Sequence, residues 1–286
     1  MLMVLPGAPP PVTVDATIFT WLYASLTTIN GNPAISYNDQ SNNDLKYVRA
    51  NDVNGTSWAA PVIVDATGIV GKFTSLTAVN GNPAISYFDD TNFNLKYVRA
   101  TDASGTAWSA PLTLDSTGNV GSYTSLTIVN GNPAISYQGG NSLKYVRAND
   151  ATGTSWAAPV IADGLSVVYY TSLAIINGNP AISYYDGFNK NLKYVRATNV
   201  NGTAWSAPLS FDTDKSAGAF TSLAIINSNP AITYYDDSND DLRYVRASDA
   251  GGTTWAAPVT VVISDGYYAS LTTISSNPAI SYGSSS

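Results

Sequence analysis

A chain of 286 residues with a formal net charge of −7 and only 12% charged residues has no basic surface to offer a nucleic-acid backbone, so we expect no nucleic-acid partner. Cys and His are absent and every acidic residue is Asp, which removes disulfides, zinc thiolates and the commonest general base. Met1-Leu2-Met3-Val4-Leu5-Pro6 is too short and lacks the basic flank of a signal peptide, and no stretch approaches the roughly 20 apolar residues of a membrane span, so no membrane insertion is expected.

In chain order, Leu2 to Leu5 is β-prone, and Ala8 to Asp15 lines up with Ala60 to Asp65 further on. Then comes the unit that the rest of the chain repeats. Ala24 to Ile29 is a short β-prone run, Asn30-Gly31 supplies the two positive-φ positions of a type I′ hairpin, and Asn32 to Tyr37 returns beside it. After a polar loop, Asn38 to Asp44, a third strand runs Leu45-Lys46-Tyr47-Val48-Arg49-Ala50, and a turn from Asn51 to Thr56 leads into a fourth, Trp58 to Val64. Each repeat is thus a four-stranded antiparallel meander.

The phrase around Ser25 recurs at Ser75, Ser125, Ser172, Ser222 and Ser270, in steps of 50, 50, 47, 50 and 48 residues. A fixed period of about 40 to 50 residues marks a propeller or a solenoid. One such sheet has two faces to cover and is marginal alone, so neighbours must pack radially. The expected fold is all-β, a six-bladed β-propeller of four-stranded antiparallel blades forming a single domain over residues 1–286. The third-strand phrase occurs only five times, at Leu45, Leu95, Leu143, Leu192 and Leu242, and has no copy after Tyr282. The strands of residues 2–15 are therefore expected to complete the blade of residues 267–282, leaving no exposed edge.

The turns between third and fourth strands read Asn51-Asp52-Val53-Asn54-Gly55-Thr56-Ser57-Trp58 and Thr101-Asp102-Ala103-Ser104-Gly105-Thr106-Ala107-Trp108, with further copies ending at Trp156, Trp205 and Trp255. These resemble the Asp-box of sialidase-like propellers, although one extra residue separates Asp from Gly and one copy has Asn199 in place of Asp. The resemblance covers about eight residues in each of five repeats and implies fold alone. Descent from that family would imply three arginines on a substrate carboxylate, a Tyr activated by Glu and an Asp acid. This chain has no Glu, and its arginines recur at one third-strand position, so no catalytic residue is carried over. In regularity the chain is similar to the repetitive lectin propellers.

Ten of the thirteen basic residues are Lys46, Arg49 and their copies, on opposite faces of the third strand. The arginines are expected to pair with Asp or with carbonyls between blades, and Trp58 and its copies to anchor neighbouring blades. Ahead of the repeated Ser stand Tyr23, Phe73, Tyr123, Tyr170, Phe220 and Tyr268, expected to ring one mouth of a central channel. The loops after the second strands lie on that face and carry Asp39, Asp89, Asp186 and Asp236 with Tyr185 and Tyr235. Aromatic faces beside carboxylates suit sugars, since the ring covers a pyranose C–H face while Asp serves its hydroxyls. These twelve residues are the expected ligand-binding set. No metal residue is assigned and no cofactor is expected. Calcium is the one cation that the oxygen-rich stretches Asp39 to Asp44 and Asp236 to Asp241 would suit, but they lack an EF-hand's Gly and distal Glu.

The expected function is a non-catalytic binding propeller recognising a glycan or a protein surface, extracellular or on a particle surface. The alternatives are a structural display module and, third, an Asp-based glycan hydrolase or lyase needing two carboxylates in one pocket at roughly 5 to 10 Å.

Overall fold

The computed structural model describes residues 12–16, 23–164, 167–213 and 216–284. Among these there is no helix. The first sheet is β1 (Ser25–Ile29), β2 (Asn32–Asp39), β3 (Asp44–Arg49) and β4 (Val62–Asp65). The second is β5 (Val70–Val79), β6 (Asn82–Asp89), β7 (Asn94–Arg99) and β8 (Leu112–Asp115). The third is β9 (Val120–Val129), β10 (Asn132–Gly139), β11 (Ser142–Arg147) and β12 (Val160–Gly164). The fourth is β13 (Val168–Ile176), β14 (Asn179–Asp186), β15 (Asn191–Arg196) and β16 (Leu209–Phe211). The fifth is β17 (Ala217–Ile226), β18 (Asn229–Asp236), β19 (Asp241–Arg246) and β20 (Val259–Val262). A pair, β21 (Tyr267–Ile274) and β22 (Asn277–Gly283), closes the described chain. Each of the five full sheets is an antiparallel meander in sequence order.

Type I′ chemistry sets every first hairpin. Asn30, Asn80, Asn130 and Asn177 all have φ between 44° and 46°, followed by Gly, and the strands meet at Ile29↔Asn32 and its copies, leaving a two-residue loop. Where Gly is replaced, the turn persists: Asn227 and Ser228 sit at φ 46° and 67°, and Ser275 and Ser276 at 49° and 65°. At the third-to-fourth-strand turn, Asp52 accepts the backbone N–H groups of Asn54, Thr56 and Ser57, and the Trp58 indole N–H donates to Gly55 O at 2.9 Å. Asp102, Asp150 and Asp249 do the same in their turns.

The chain forms two compact units, one up to Thr117 and one from Gly118 onward. In the first, β5 packs on the sheet of β1, β2 and β3. Their shared core joins Ile29, Leu45 and Tyr47 to Val70, Leu76, Ile85 and Tyr87. In the second, successive sheets repeat that contact. One core runs from Val129, Leu143 and Tyr145 to Val168, Leu173, Ile182 and Tyr184. The next runs from Ile176, Leu192 and Tyr194 to Ala217, Leu223, Ile232 and Tyr234, and a smaller one joins Ile226 and Ala231 to Leu271. The fourth and fifth sheets are thus covered on both faces, and β14 and β18 read as nearly unbroken buried runs. Burial of each such side chain contributes about 1.5–3 kcal/mol.

The Trp of one turn seals the neighbouring sheet, with Trp108 edge-on to Tyr47 at 5.2 Å and Trp205 to Tyr145 at 5.2 Å. The arginines depart from expectation. Arg49 donates to Ile29 O and Asn30 O at 3.0 and 3.1 Å, and Arg99, Arg147, Arg196 and Arg246 repeat this, so each ties the hairpin of its own sheet and not a neighbouring sheet.

Candidate functional site

In the second to sixth repeats the first strand breaks register just ahead of the repeated Ser, for example between Tyr169 and Ser172 in β13 and between Ala219 and Ser222 in β17. At that bulge stands the aromatic residue singled out from the sequence. Tyr23, Phe73, Tyr123, Tyr170, Phe220 and Tyr268 have φ of 65°, 53°, 56°, 54°, 52° and 53°, a region that bulky residues rarely enter. Strain of this kind persists where the fold over-determines it, and a bulge re-aims the side chain it carries. The rings therefore meet. Tyr23 and Phe73 lie 4.2 Å apart in the first unit. In the second, Tyr123–Tyr170, Tyr170–Phe220 and Phe220–Tyr268 lie 5.0, 4.4 and 4.3 Å apart.

Beside this aromatic ladder, the second unit has a cleft of about 340 Å³. It brings together five of the expected residues, Tyr123, Tyr170, Tyr185, Phe220 and Tyr235, with Tyr169, Ser216, Ala219, Asp237 and Tyr267, which the sequence reading missed. A signal for Tyr169 and Tyr267 existed, because each immediately precedes a ladder residue and a bulge brings both to one side. Tyr235 donates to Asp240 Oδ1 at 2.7 Å and its ring lies 4.4 Å from Tyr267. Burial first, then the hydrogen bonds to Tyr267 and Asp240, push the Tyr235 phenol far above its ordinary range, so it stays a neutral donor. The loop is tied in place: Asp237 N donates to Ser216 O at 2.8 Å, Ser216 N to Ser238 Oγ at 2.8 Å, and the Tyr185 and Ser216 hydroxyls lie 3.2 Å apart. The cleft thus offers aromatic faces, hydroxyls and one solvent-open carboxylate, the set that grips the C–H face and the hydroxyls of a sugar.

The expected aspartates lie elsewhere. Asp39, Asp89, Asp186 and Asp236 are fully buried, at 0% exposure, and their oxygens are committed to the protein. Asp39 accepts Ser41 N and Asn42 N and pairs with Lys46 at 2.7 Å. Asp89 pairs with Lys96 at 3.0 Å, Asp186 with Lys193 at 2.7 Å and Asp236 with Arg243 at 3.4 Å. A second Asp completes each clasp. Asp65 takes the Tyr87 hydroxyl at 2.6 Å and Lys96 at 3.5 Å, and Asp15 takes Tyr37 at 2.8 Å and lies 3.8 Å from Lys46. These carboxylates hold sheets together and do not reach a ligand, which corrects their place in the expected set. In the oxygen-rich stretch from Asp39 to Asp44, the Asp39 carboxylate is held by the Lys46 ammonium at 2.7 Å.

No family model matches the chain, and no curated protein matches it in sequence. Solved structures do resemble it. A Hadza microbial sialidase has a TM-score of 0.64 at 15% identity, over 93% of this chain and 64% of its own. The NanB sialidase from Streptococcus pneumoniae has 0.60 at 10% identity, over 91% and 64%. An exo-β-1,3-galactanase from Phanerochaete chrysosporium, solved with galactose, has 0.54 at 12% identity, over 93% and 68%. The chain spans just under two thirds of the length of those two sialidases. At such identities the likeness shows the fold, a β-propeller. It runs against the expectation of a non-catalytic binding or display module, because the two sialidases and the galactanase named here are glycan-hydrolysing enzymes.

Proposed function

We propose that the chain is a glycan-acting propeller of the hydrolase type, with its substrate site in the tyrosine-lined cleft of the second unit. What carries the reading is Asp237, an exposed carboxylate set among half-buried aromatic rings in a fold shared with sialidases and a galactanase. Glycoside hydrolysis adds water across a glycosidic C–O bond and needs two carboxyl groups, one giving a proton to the leaving oxygen while the other activates water or attacks the sugar. Asp237 is one. We assign the other role to Asp240, three residues on, which accepts the hydroxyl of the cleft-lining Tyr235 from outside the cleft lining itself. The rings of Tyr170, Phe220 and Tyr185 would cover the sugar's apolar face. The test is release of fluorophore from a panel of 4-methylumbelliferyl glycosides. Turnover that falls at least a hundredfold in Asp237→Asn and in Asp240→Asn supports the reading; turnover indifferent to both variants, or none on any glycoside, overturns it.

The six repeats are taken as six blades of one domain, with Asp-box-like turns and with residues 2–15 completing the blade of β21 and β22. Residues 1–11 lie outside the described ones. Support comes from Asp15, which serves Tyr37 and Lys46 as Asp65 serves Tyr87 and Lys96, the role of a residue ending a fourth strand. Deleting residues 1–15 should then leave an open edge and an aggregating protein; a monomer of unchanged stability would refute the closure. A polar composition rich in Asn, Ser, Thr and Tyr suits action outside the cell or on a particle surface, where polymeric glycans are met.

A further inference from the structure

We infer that the cleft selects neutral glycans and rejects anionic ones such as sialosides, and that Asp237 is the residue that makes this selection. The inference rests on reading the cleft as a glycan site. Its ground is a comparison of two repeat positions. In the second sheet Lys72, paired across the strands with Phe88, reaches Asp90 at 2.7 Å and neutralises it. In the fifth sheet the corresponding pair is Ala219↔Tyr235, so Ala stands where the lysine would be and Asp237 stands where Asp90 is. The carboxylate lining the cleft has lost the cation that its copy keeps.

The three arginines of the fourth and fifth sheets are committed elsewhere. Arg196 and Arg246 end their strands on the carbonyls of the first hairpins, at Ile176, Asn177, Ile226 and Asn227. That is five residues along a strand from the cleft end, roughly 16 Å at the usual rise. Arg243 is held between Asp212 at 2.7 Å and Asp236 at 3.4 Å. Among the described residues, no Lys or Arg lines the cleft. A ligand carboxylate about 4 Å from Asp237 would meet a repulsion that lowers affinity from about fivefold in a water-like setting to several hundredfold in a protein-like one. The net charge of −7 adds a field of the same sign. A neutral sugar meets none of this and uses the carboxylate as a hydrogen-bond acceptor.

The experiment compares lactose with sialyllactose by titration calorimetry in every protein, and the methylumbelliferyl galactoside with the sialoside by turnover in the intact chain alone. The proteins are the full chain, Asp237→Asn and Ala219→Lys, each checked by circular dichroism for a native melt. The intact chain should favour the neutral partner at least tenfold. Asp237→Asn should narrow the ratio to within about threefold, and Ala219→Lys, which restores the Lys72–Asp90 arrangement, should narrow or reverse it. Preference for the sialoside, or a ratio unmoved in Asp237→Asn, overturns the selection while leaving a glycan site standing. Failure of both sugar classes to bind or turn over strikes the glycan reading itself and the inference with it.

Discussion

Residues 12–117 and 118–284 are built on one repeat and differ where the sheets leave side-chain identity free. In the first unit Phe88 and Phe93 stand beside the ladder residue Phe73, with Phe88 6.3 Å from each of the other two, and the neighbouring carboxylate is closed by Lys72. In the second, Tyr185 and Tyr235 replace Phe88, Tyr169 and Tyr267 occupy positions like that of Lys72, and Asp237 faces a cleft. Two-residue hairpins, bulges and Asp–Lys clasps occur in both. The scaffold is copied because backbone geometry demands it, while hydroxyls and an open carboxylate appear at positions where Phe would do equally well for packing. The two units therefore share a scaffold and differ in the polar groups it displays.

The largest effect that would sharpen this comparison is expected at two corresponding glycines. Gly218, at φ +128°, leaves no room for a Cβ, which would lie 2.7 Å from Leu192 Cα, and Gly71, at φ +86°, would place one 2.9 Å from Leu45 Cα. The obstacle in each case is backbone. Ala at either site should cost about 2–4 kcal/mol in urea unfolding, alike in the two units. A loss in only one of them would show that the sheets are not packed equivalently.

The clasps come next. Tyr87→Phe removes the donor to Asp65 and Tyr184→Phe the donor to Asp163, leaving a carboxylate short of a partner. Each should cost about 1–3 kcal/mol, equally in both units. If Tyr184→Phe is silent while Tyr87→Phe is not, the Lys193 ammonium suffices for Asp163 and the clasps differ in kind.

The same groups govern pH dependence. Burial alone would raise the Asp89 carboxyl, but Asn92 and Lys96 outweigh it and hold it below its ordinary value. Asp65 behaves likewise under Thr67 and Tyr87. A carboxyl lowered in the folded state binds fewer protons there than in the unfolded chain. Its stabilisation is full above the ordinary value of 3.8 and drains as pH falls below it. Burial, then Asp65, raises the Tyr87 phenol far above its ordinary 10.0, and burial, then Asp163, does the same to Tyr184. Their stabilisation is complete below about pH 10 and drains above it. Thermal melts should be level from about pH 5 to 9 and fall at both ends, and Tyr87→Phe with Tyr184→Phe should flatten the alkaline limb. An alkaline limb unchanged in the double variant would assign it elsewhere.

The smallest effect distinguishes the hairpins. Ser228, at φ 67°, occupies the position that Gly81 fills at 79° in the first unit. Ser228→Gly should stabilise by about 0.5–1 kcal/mol, since it relieves a left-handed serine at a modest entropic cost. Gly81→Ser should destabilise by a similar amount. A loss on Ser228→Gly, read from the same urea curves, would mean that the serine hydroxyl contributes more than the strain removes.

Local chemistry made much of this molecule legible from its residues. Asn-Gly pairs announce two-residue hairpins, Asp-x-x-Gly-Thr-x-Trp announces a self-capped turn, and a period near 50 requires stacked identical units, so strand order and turn positions follow from neighbours in sequence alone. The ladder residues were legible too, because they hold one place in every repeat. Only the tertiary structure decided what the carboxylates do. Asp236 and Asp237 are adjacent in sequence, yet one is sealed against Arg243 and the other opens on a cleft, since successive side chains at a strand end point to opposite sides. Whether a carboxylate is spent on a lysine or left for a ligand depends on residues that pair across strands and between sheets, Lys72 with Asp90 in one repeat and Ala219 beside Asp237 in another. Those pairings exist only once the sheets have packed.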